Sequence, residues 1–445
     1  MRLAIIGGGG FRVPLVYRAL LDDDGHGRCE EVTLYDTDPG RLRVIGAVLA
    51  AEAARASRAP RVRATTDLDE ALAGADFVFS AIRAGGLAGR VRDERVPLAA
   101  GVLGQETVGA GGVLYGLRSV PQALRIAERV RAVAPDAWVI NFTNPAGMVT
   151  EAMSAVLGHR VIGICDSPVG LVRRAARAAG ADPAAVRYGY TGLNHLGWLQ
   201  SLTLDGRDLL LGLLADERAL GSFEEGRLFG ARWLRALGAL PNEYLHYYYF
   251  RRETLAATRA AEETRGAFLA RQQGAFFTAA LAETDSPERV HARWERTRLE
   301  REETYGADGR AAAGGGERDS CDLEGGGYEQ VALDLMRAIA ADRTTRLILN
   351  VRNAGTLPAL PPDAVIETVC EANAQGAHPV PVVSPGMAEL GLMLQLKAVE
   401  RATIEAATTG SPEAALRALA LHPLVDSPAT AARILAEAAE ATEAG

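Results

Sequence analysis

Residues 2–21 read RLAIIGGGGFRVPLVYRALL: a five-residue apolar run, the turn Gly7-Gly8-Gly9-Gly10, then Phe11, Arg12 and a helical pattern with Pro14 in its first turn. Strand, glycine turn and helix in that order open a dinucleotide-binding βαβ unit, in which glycines admit a pyrophosphate to the helix N-terminus. The match to G-x-G-x-x-G is partial, since Gly7 and Gly9 fit while Arg12 stands at the third glycine position. A second strand, Glu31–Tyr35, ends in Asp36, at the distance where a carboxylate takes the ribose hydroxyls of a dinucleotide. A carboxylate there repels a 2′-phosphate and favours NAD over NADP; the bland alternative is a helix-capping aspartate.

Working outward, Asp76–Ile82 is an apolar strand buried on both faces, as parallel strands are, and it leads into Arg83-Ala-Gly85-Gly86. Gly104–Gly112 is too glycine-rich for a helix interior and reads as a loop over a site. A helix over 117–133 returns the chain to a strand at Trp138–Ile140, and a crossover through 146–157 reaches a strand at Val161–Ile164. The alternation predicts an α/β fold: a Rossmann-type doubly wound sheet over 1–185, with an α+β domain over 186–445 that closes over it. Within 186–445, residues 260–303 read as charged surface helices or an oligomer contact, 306–327 as a flexible loop, and 385–444 as helices packing back onto the body.

Three strand ends carry polar groups: Asn141-Phe-Thr-Asn144-Pro145, Cys165-Asp166-Ser-Pro168, and Gly192-Leu-Asn194-His195. Open α/β sheets place ligands at such ends. One thiolate and one imidazole 30 residues apart form a half-shell for a divalent transition metal with open positions; the alternative is a small core thiol and a satisfied histidine. Pro241–Tyr249 gathers four of the eleven tyrosines, placing Tyr244, Tyr247 and Tyr248 on one helical face, where they either serve a site or pack a core.

Composition bounds the rest. The 445 residues carry 48% hydrophobic residues and a net charge of −8, enough for sizeable cores and without a nucleic-acid footprint. No apolar run is long enough to span a membrane, Met1 leads straight into a strand pattern, and Cys29, Cys165, Cys321 and Cys370 lack a disulfide spacing, so a cytoplasmic protein is expected.

Taken together, the Arg83 segment with Asp93-Glu94, the Gly104-Gln105-Glu106-Thr107 loop, Asn141–Pro145, Cys165–Pro168, Gly192–His195 and the Tyr244 segment resemble the NAD- and divalent-metal-dependent glycoside hydrolases of family 4. That family includes 6-phospho-β-glucosidases, 6-phospho-α-glucosidases and α-galactosidases. The resemblance implies NAD held at Gly7, Gly8, Gly9, Gly10, Phe11 and Asp36, and a divalent metal, manganese, on Cys165 and His195. It further implies Tyr244 as the base and Asp166 as the candidate acid, with Arg83, Glu106, Asn144 and Asn194 binding a (phospho)glycoside, in a homodimer or homotetramer. Two departures stand out. Gly10-Phe11-Arg12 replaces the family's usual Ser or Thr, and Asp166, usual in α-glucosidase-like members, leaves the anomer open. The expected activity is 6-phospho-β-glucosidase, by C3 oxidation, C2 deprotonation, elimination, water addition and re-reduction. A malate- or lactate-type dehydrogenase, which needs neither a thiolate ligand nor a tyrosine base, is the alternative from another class.

Overall fold

The strand β1 (Arg2–Ile6) pairs in parallel with β2 (Glu31–Tyr35) on one side and with β4 (Phe77–Ser80) on the other; β3 (Arg61–Thr65) lies outside β2. Beyond β4 come β5 (Trp138–Asn141) and β6 (Val161–Gly163), giving the parallel order β3-β2-β1-β4-β5-β6. This is the Rossmann order, with the switch point between β1 and β4. β4, β5 and β6 are buried throughout, because helices cover both faces. The computed structural model describes residues 1–25, 27–306, 310, 313 and 327–443.

The sequence of helices follows local chemistry. Helix α1 (Val13–Leu21) takes Pro14 in its first turn, and α2 (Pro39–Arg55) is capped by Asp38, whose carboxylate accepts from the amides of Gly40 and Arg41. Asp38 therefore fills the capping role, and Asp36 is left to the glycine turn. α3 (Leu68–Leu72) and α4 (Gly86–Ala99) precede α5, which starts at Gly109 and runs to Val133. The stretch expected to be loop up to Gly112 thus divides: its small residues let the first turn of α5 press against the 104–107 backbone, with which Gly109 also forms a bridge at Gly104. α6 (Ala146–Leu157) and α7 (Ser167–Ala178) complete the crossovers.

After α7 the chain does not begin a separate sheet. β7 (Arg187–Leu193), β8 (Leu196–Leu204), the short β9 (Arg207–Asp208) and β10 (Leu240–Pro241), then β11 (Thr345–Arg352), β12 (Val365–Asn373) and β13 (Gly376–Pro379) are antiparallel. They extend the parallel half through a junction at which Asn350 of β11 pairs with Gly163 of β6, so that, among the described residues, 13 strands form one sheet. The same Asn350 lies opposite Glu367 of β12, and Glu367 lies opposite Gly192 of β7. One cross-strand row therefore joins the chain just before Cys165 to the chain just before His195.

The helices Arg265–Leu281 and Pro287–Glu303 keep one exposed face, as expected, and bury the other. They pack on the nucleotide half and bring Phe276 and Trp294 into its core, Trp294 with no exposure and its indole donating to the Phe11 carbonyl at 2.8 Å. Ion pairs Arg18–Glu295 and Arg55–Glu288, and His291 against Glu52, stitch this contact. Glu288, His291 and Glu295 rim this buried seam, while Arg289, Arg296 and Glu300 stay exposed. Helices Met387–Thr409, Pro412–Ala420 and Pro428–Glu443 return as expected. Most of the expected flexible loop over 306–327, and Cys321 within it, lies outside the described residues. Among the described residues, no helix is long and apolar enough to cross a membrane.

Candidate active site

A cleft of about 1430 Å³ runs along the carboxyl ends of the parallel strands and beneath the Arg265–Glu303 helices. At one end lie Gly7, Gly10, Phe11 and Asp36. Gly7 has φ +89°, and a Cβ there would sit 2.6 Å from the Ala81 carbonyl oxygen, so the β1–α1 turn requires glycine. Gly8 and Gly9 do not line the cleft; they shape the turn, the Gly8 amide donating to the Tyr35 carbonyl and the Gly9 amide to Asp36 Oδ2 at 3.0 Å. Tyr328 donates to the Arg12 carbonyl at 3.0 Å and, with Trp294 on Phe11, clamps the turn from outside the parallel half. The α1 N-terminus, flanked by glycine and faced by one carboxylate at the end of β2, has the donor set that an NAD pyrophosphate and ribose require.

Farther along the cleft stand Cys165, Asp166, His195, Asn144 and Tyr244. Cys165 stands two residues after the end of β6 and is buried. His195 occupies the tip of the β7–β8 hairpin at φ +61°, a strained conformation for a non-glycine residue that is retained where surrounding contacts dictate it. Two contacts do so. Thr107 Oγ1 lies 2.9 Å from His195 Nδ1, which leaves Nε2 as the nitrogen able to coordinate, and the imidazole stacks on the Tyr244 ring at 3.7 Å and 3°. Burial holds His195 down at about 4, so the ring is neutral and able to coordinate at physiological pH. Burial, then Glu367 and Asp166, push the Cys165 thiol up, and a bound cation is what would stabilise its thiolate. Among the described residues, no group of three or more His, Cys, Asp or Glu side chains forms a closed metal cage. One soft thiolate with one imidazole fits a transition-metal ion whose remaining positions a ligand fills.

Tyr244 sits in a 3₁₀ turn, Glu243–Leu245, whose cap Asn242 accepts from the Tyr244 amide at 3.1 Å. Its hydroxyl is 2.8 Å from that of Tyr305, which donates in turn to Glu243 at 3.3 Å. Burial, then Tyr305 and Glu243, push the Tyr244 phenol up, so a positive charge close by is needed before it can act as a base near neutrality. Tyr247 also lines the cleft; Tyr249 instead accepts from the Trp198 indole at 3.1 Å.

Arginines dominate the wall between the two ends. Arg83 and Arg90 both pair with Glu106; burial opposes the charge, but Arg83 and Arg90 hold this carboxylate at about 2. The expected ligand groups Arg83 and Glu106 are therefore bound to one another. Arg12, at the departure from the glycine pattern, reaches Asp166 at 3.3 Å and lies 4.2 Å over the Tyr328 ring. Arg265 and Arg301 join them in the cleft. Burial, then Arg301 and Arg90, lower Arg265 to about 10; burial, then Arg12, lower Arg301 as well. Guanidiniums gathered in one buried cleft offer donors and charge to an anion.

Asn194 does not line the cleft wall but stands directly behind Cys165: its side chain hydrogen-bonds the Cys165 thiol, and its amide donates to Glu367 Oε1 at 3.0 Å. Burial pushes Glu367 up to about 7, against donors Asn194, Asn350 and Tyr190. Sequence reasoning missed Arg265, Arg301, Tyr305 and Glu367. For Glu367 a signal existed, a carboxylate inside the apolar strand VIETVCEAN; Arg265 and Arg301 were lost among the charges of two long helices.

Profile comparison matches residues 2–181 to "Family 4 glycosyl hydrolase" and residues 190–425 to "Family 4 glycosyl hydrolase C-terminal domain". The chain is 31% identical over 457 residues to a Bacillus subtilis (strain 168) protein named probable 6-phospho-beta-glucosidase, covering 100% of this chain and 97% of that one. The 6-phospho-beta glucosidase of Thermotoga maritima, solved with NAD and glucose-6-phosphate, is 28% identical with a TM-score of 0.83, covering 100% and 99%. A 6-phospho-alpha-glucosidase from gut microorganisms, solved with NAD and Mn2+, is 27% identical with a TM-score of 0.81, covering 99% and 98%. The glycine turn, the Cys165–His195 pair and this whole-length similarity lead to one assignment: the chain belongs to glycosyl hydrolase family 4.

Proposed function

We propose that this enzyme is a cytoplasmic, homo-oligomeric 6-phospho-β-glucosidase working with NAD and manganese, its nucleotide half spanning residues 1–185 and its substrate half 186–445. The observation that carries the reading is the single cleft in which Gly7 and Asp36 stand at one end and Cys165, His195 and Tyr244 at the other. Arg265 and Arg301, with Arg12 beside them, support a phosphorylated sugar, because a phosphate dianion offsets guanidiniums that otherwise repel. Family membership sets the dehydrogenase alternative aside.

NAD and a divalent cation, when bound, supply temporary oxidation at C3 and polarisation of the sugar oxygens. The chain supplies the rest. Cys165 Sγ and His195 Nε2 hold the cation, with Thr107 fixing the tautomer from Nδ1. Tyr244, as the phenolate, takes the C2 proton on its oxygen and can hand a proton to Tyr305, 2.8 Å away, as Tyr305 gives its own to Glu243 at 3.3 Å. Asp166, oriented by Arg12 at 3.3 Å, is the candidate acid for the departing aglycone oxygen, a role in which its carboxylate must first take up a proton from solvent, against the preference of Arg12 for the ionised form. Asn144 binds the sugar hydroxyls, and Phe11 and Asp36 place the cofactor. Because the aglycone leaves by elimination from C1 next to a C2 carbanion, an α anomer can react too, and Asp166 favours that second reading.

Paired α- and β-nitrophenyl glucosides, each with and without a 6-phosphate, test the assignment. The β-6-phosphate should be hydrolysed fastest, with trace NAD⁺ supporting many turnovers and no NADH accumulating. Faster turnover of the α-6-phosphate would establish the second reading, and NADH formed one-for-one with product would overturn the hydrolase mechanism.

A further inference from the structure

Glu367 lies outside the cleft and has 1% exposure, yet three side chains from three different strands or turns converge on it. Its Oε1 accepts from Asn194 Nδ2 at 3.0 Å and Asn350 Nδ2 at 2.9 Å, and its Oε2 from the Tyr190 hydroxyl at 3.1 Å. Each donor leads to a different part of the active site. Asn194 directly precedes His195. Asn350 packs on Gly163, two residues before Cys165, so closely that a Cβ on Gly163 would lie 2.8 Å from Asn350 Cβ. Tyr190 accepts from Asn242 Nδ2 at 3.4 Å, and Asn242 also donates to Ser167 Oγ at 2.7 Å, two residues after Cys165, and accepts from the Tyr244 amide.

The backbone repeats this pattern. Gly163, Asn350, Glu367 and Gly192 are successive partners in one row across β6, β11, β12 and β7. A buried carboxylate at the centre of that row is costly unless its oxygens are fully engaged, and here they meet three donors. Shape alone would be met at lower cost by an apolar residue.

We propose that Glu367 is a positioning residue for the divalent cation: it acts through Asn194, Asn350 and the Tyr190–Asn242 pair to hold the segments carrying Cys165 and His195 at one separation. This rests on the reading of Cys165 and His195 as the cation's ligands. The arrangement matches the outer-shell carboxylates that orient ligands at metal sites.

The test is Mn²⁺ binding to the cation-free full chain, followed by the paramagnetic resonance of free Mn²⁺, with NAD⁺ affinity measured in parallel. In Glu367→Gln, one oxygen becomes an amide facing donors, and Mn²⁺ affinity should fall about ten- to a hundredfold, while NAD⁺ affinity stays within twofold. Unchanged Mn²⁺ affinity would overturn the proposal, as would a parallel loss of both affinities. Should Glu367→Gln fail to fold, Glu367→Asp keeps the charge but shortens its reach, and the same measurement decides: weaker Mn²⁺ binding supports positioning, and wild-type binding overturns it. Cys165→Ser and the wild type separate this outcome from a failure of the ligand assignment, since a wild type that binds no Mn²⁺ would refute the assignment itself.

Discussion

Replacing Arg301 by Gln separates the anion site from the rest of the machinery. The Arg301 side chain is 11% exposed, pairs with Glu302, and has a buried Nε without a hydrogen-bond partner among the described residues. A charge-assisted hydrogen bond in such a site contributes about 1.5–3 kcal/mol. At about 1.4 kcal/mol per factor of ten, losing it lowers kcat/KM for the 6-phosphorylated glucoside roughly ten- to a hundredfold. Arg265 and Arg12 remain, so the loss should stop short of the full phosphate contribution. Stability responds differently, because Arg301 is opposed by burial and by Arg12 but favoured by Glu302, so its removal relieves one repulsion and gives up one ion pair. The variant should therefore keep a Tm close to that of the wild type while losing phosphate selectivity. The assay compares kcat/KM for nitrophenyl β-glucoside with and without the 6-phosphate, beside a thermal melt. An equal fall for both substrates, or selectivity retained with a lower Tm, would refute the assignment of Arg301 to the anion.

Three further outcomes are expected. Thr107→Val removes the partner of His195 Nδ1 and should weaken Mn²⁺ binding about tenfold or more in a direct titration, leaving NAD⁺ binding unchanged. Tyr305→Phe removes a hydrogen bond that pushes Tyr244 up; the Tyr244 phenol should then ionise at lower pH, moving the ascending limb of the kcat/KM profile to lower pH, and a limb moved upward would contradict the pairing. Trp294→Ala empties a wholly buried site and removes the donor to the Phe11 carbonyl, costing about 3–5 kcal/mol of stability in a denaturant titration, with Phe11→Leu as the comparison that leaves the indole in place.

The glycine turn and the strand-ending Asp36 made the nucleotide half legible, because backbone geometry there demands particular residues. Cys165 and His195 were legible as members of one site because both stand at strand ends, but the place of Tyr244 against them was not: spacing does not reveal that imidazole and phenol stack at 3.7 Å. Contacts formed across long sequence separations stayed hidden. Nothing local in Arg12 indicates Asp166, 154 residues away, and nothing in Pro287–Glu303 shows that Trp294 faces the nucleotide turn, since charged residues surround it. The boundary near residue 185 marks a change of strand direction rather than a break between sheets, and a junction of one residue pair, Asn350 with Gly163, carries no periodic signal.

That junction limits how the protein can be divided. A fragment ending near residue 181 would keep the glycine turn, Asp36 and Cys165 but lose His195, Tyr244 and the Trp294 clamp. It would also leave the outer edge of β6, normally covered by β11, open to pairing with other chains. The nucleotide half is thus not a portable module, and swapping substrate halves between relatives would have to transplant both sides of the sheet seam together.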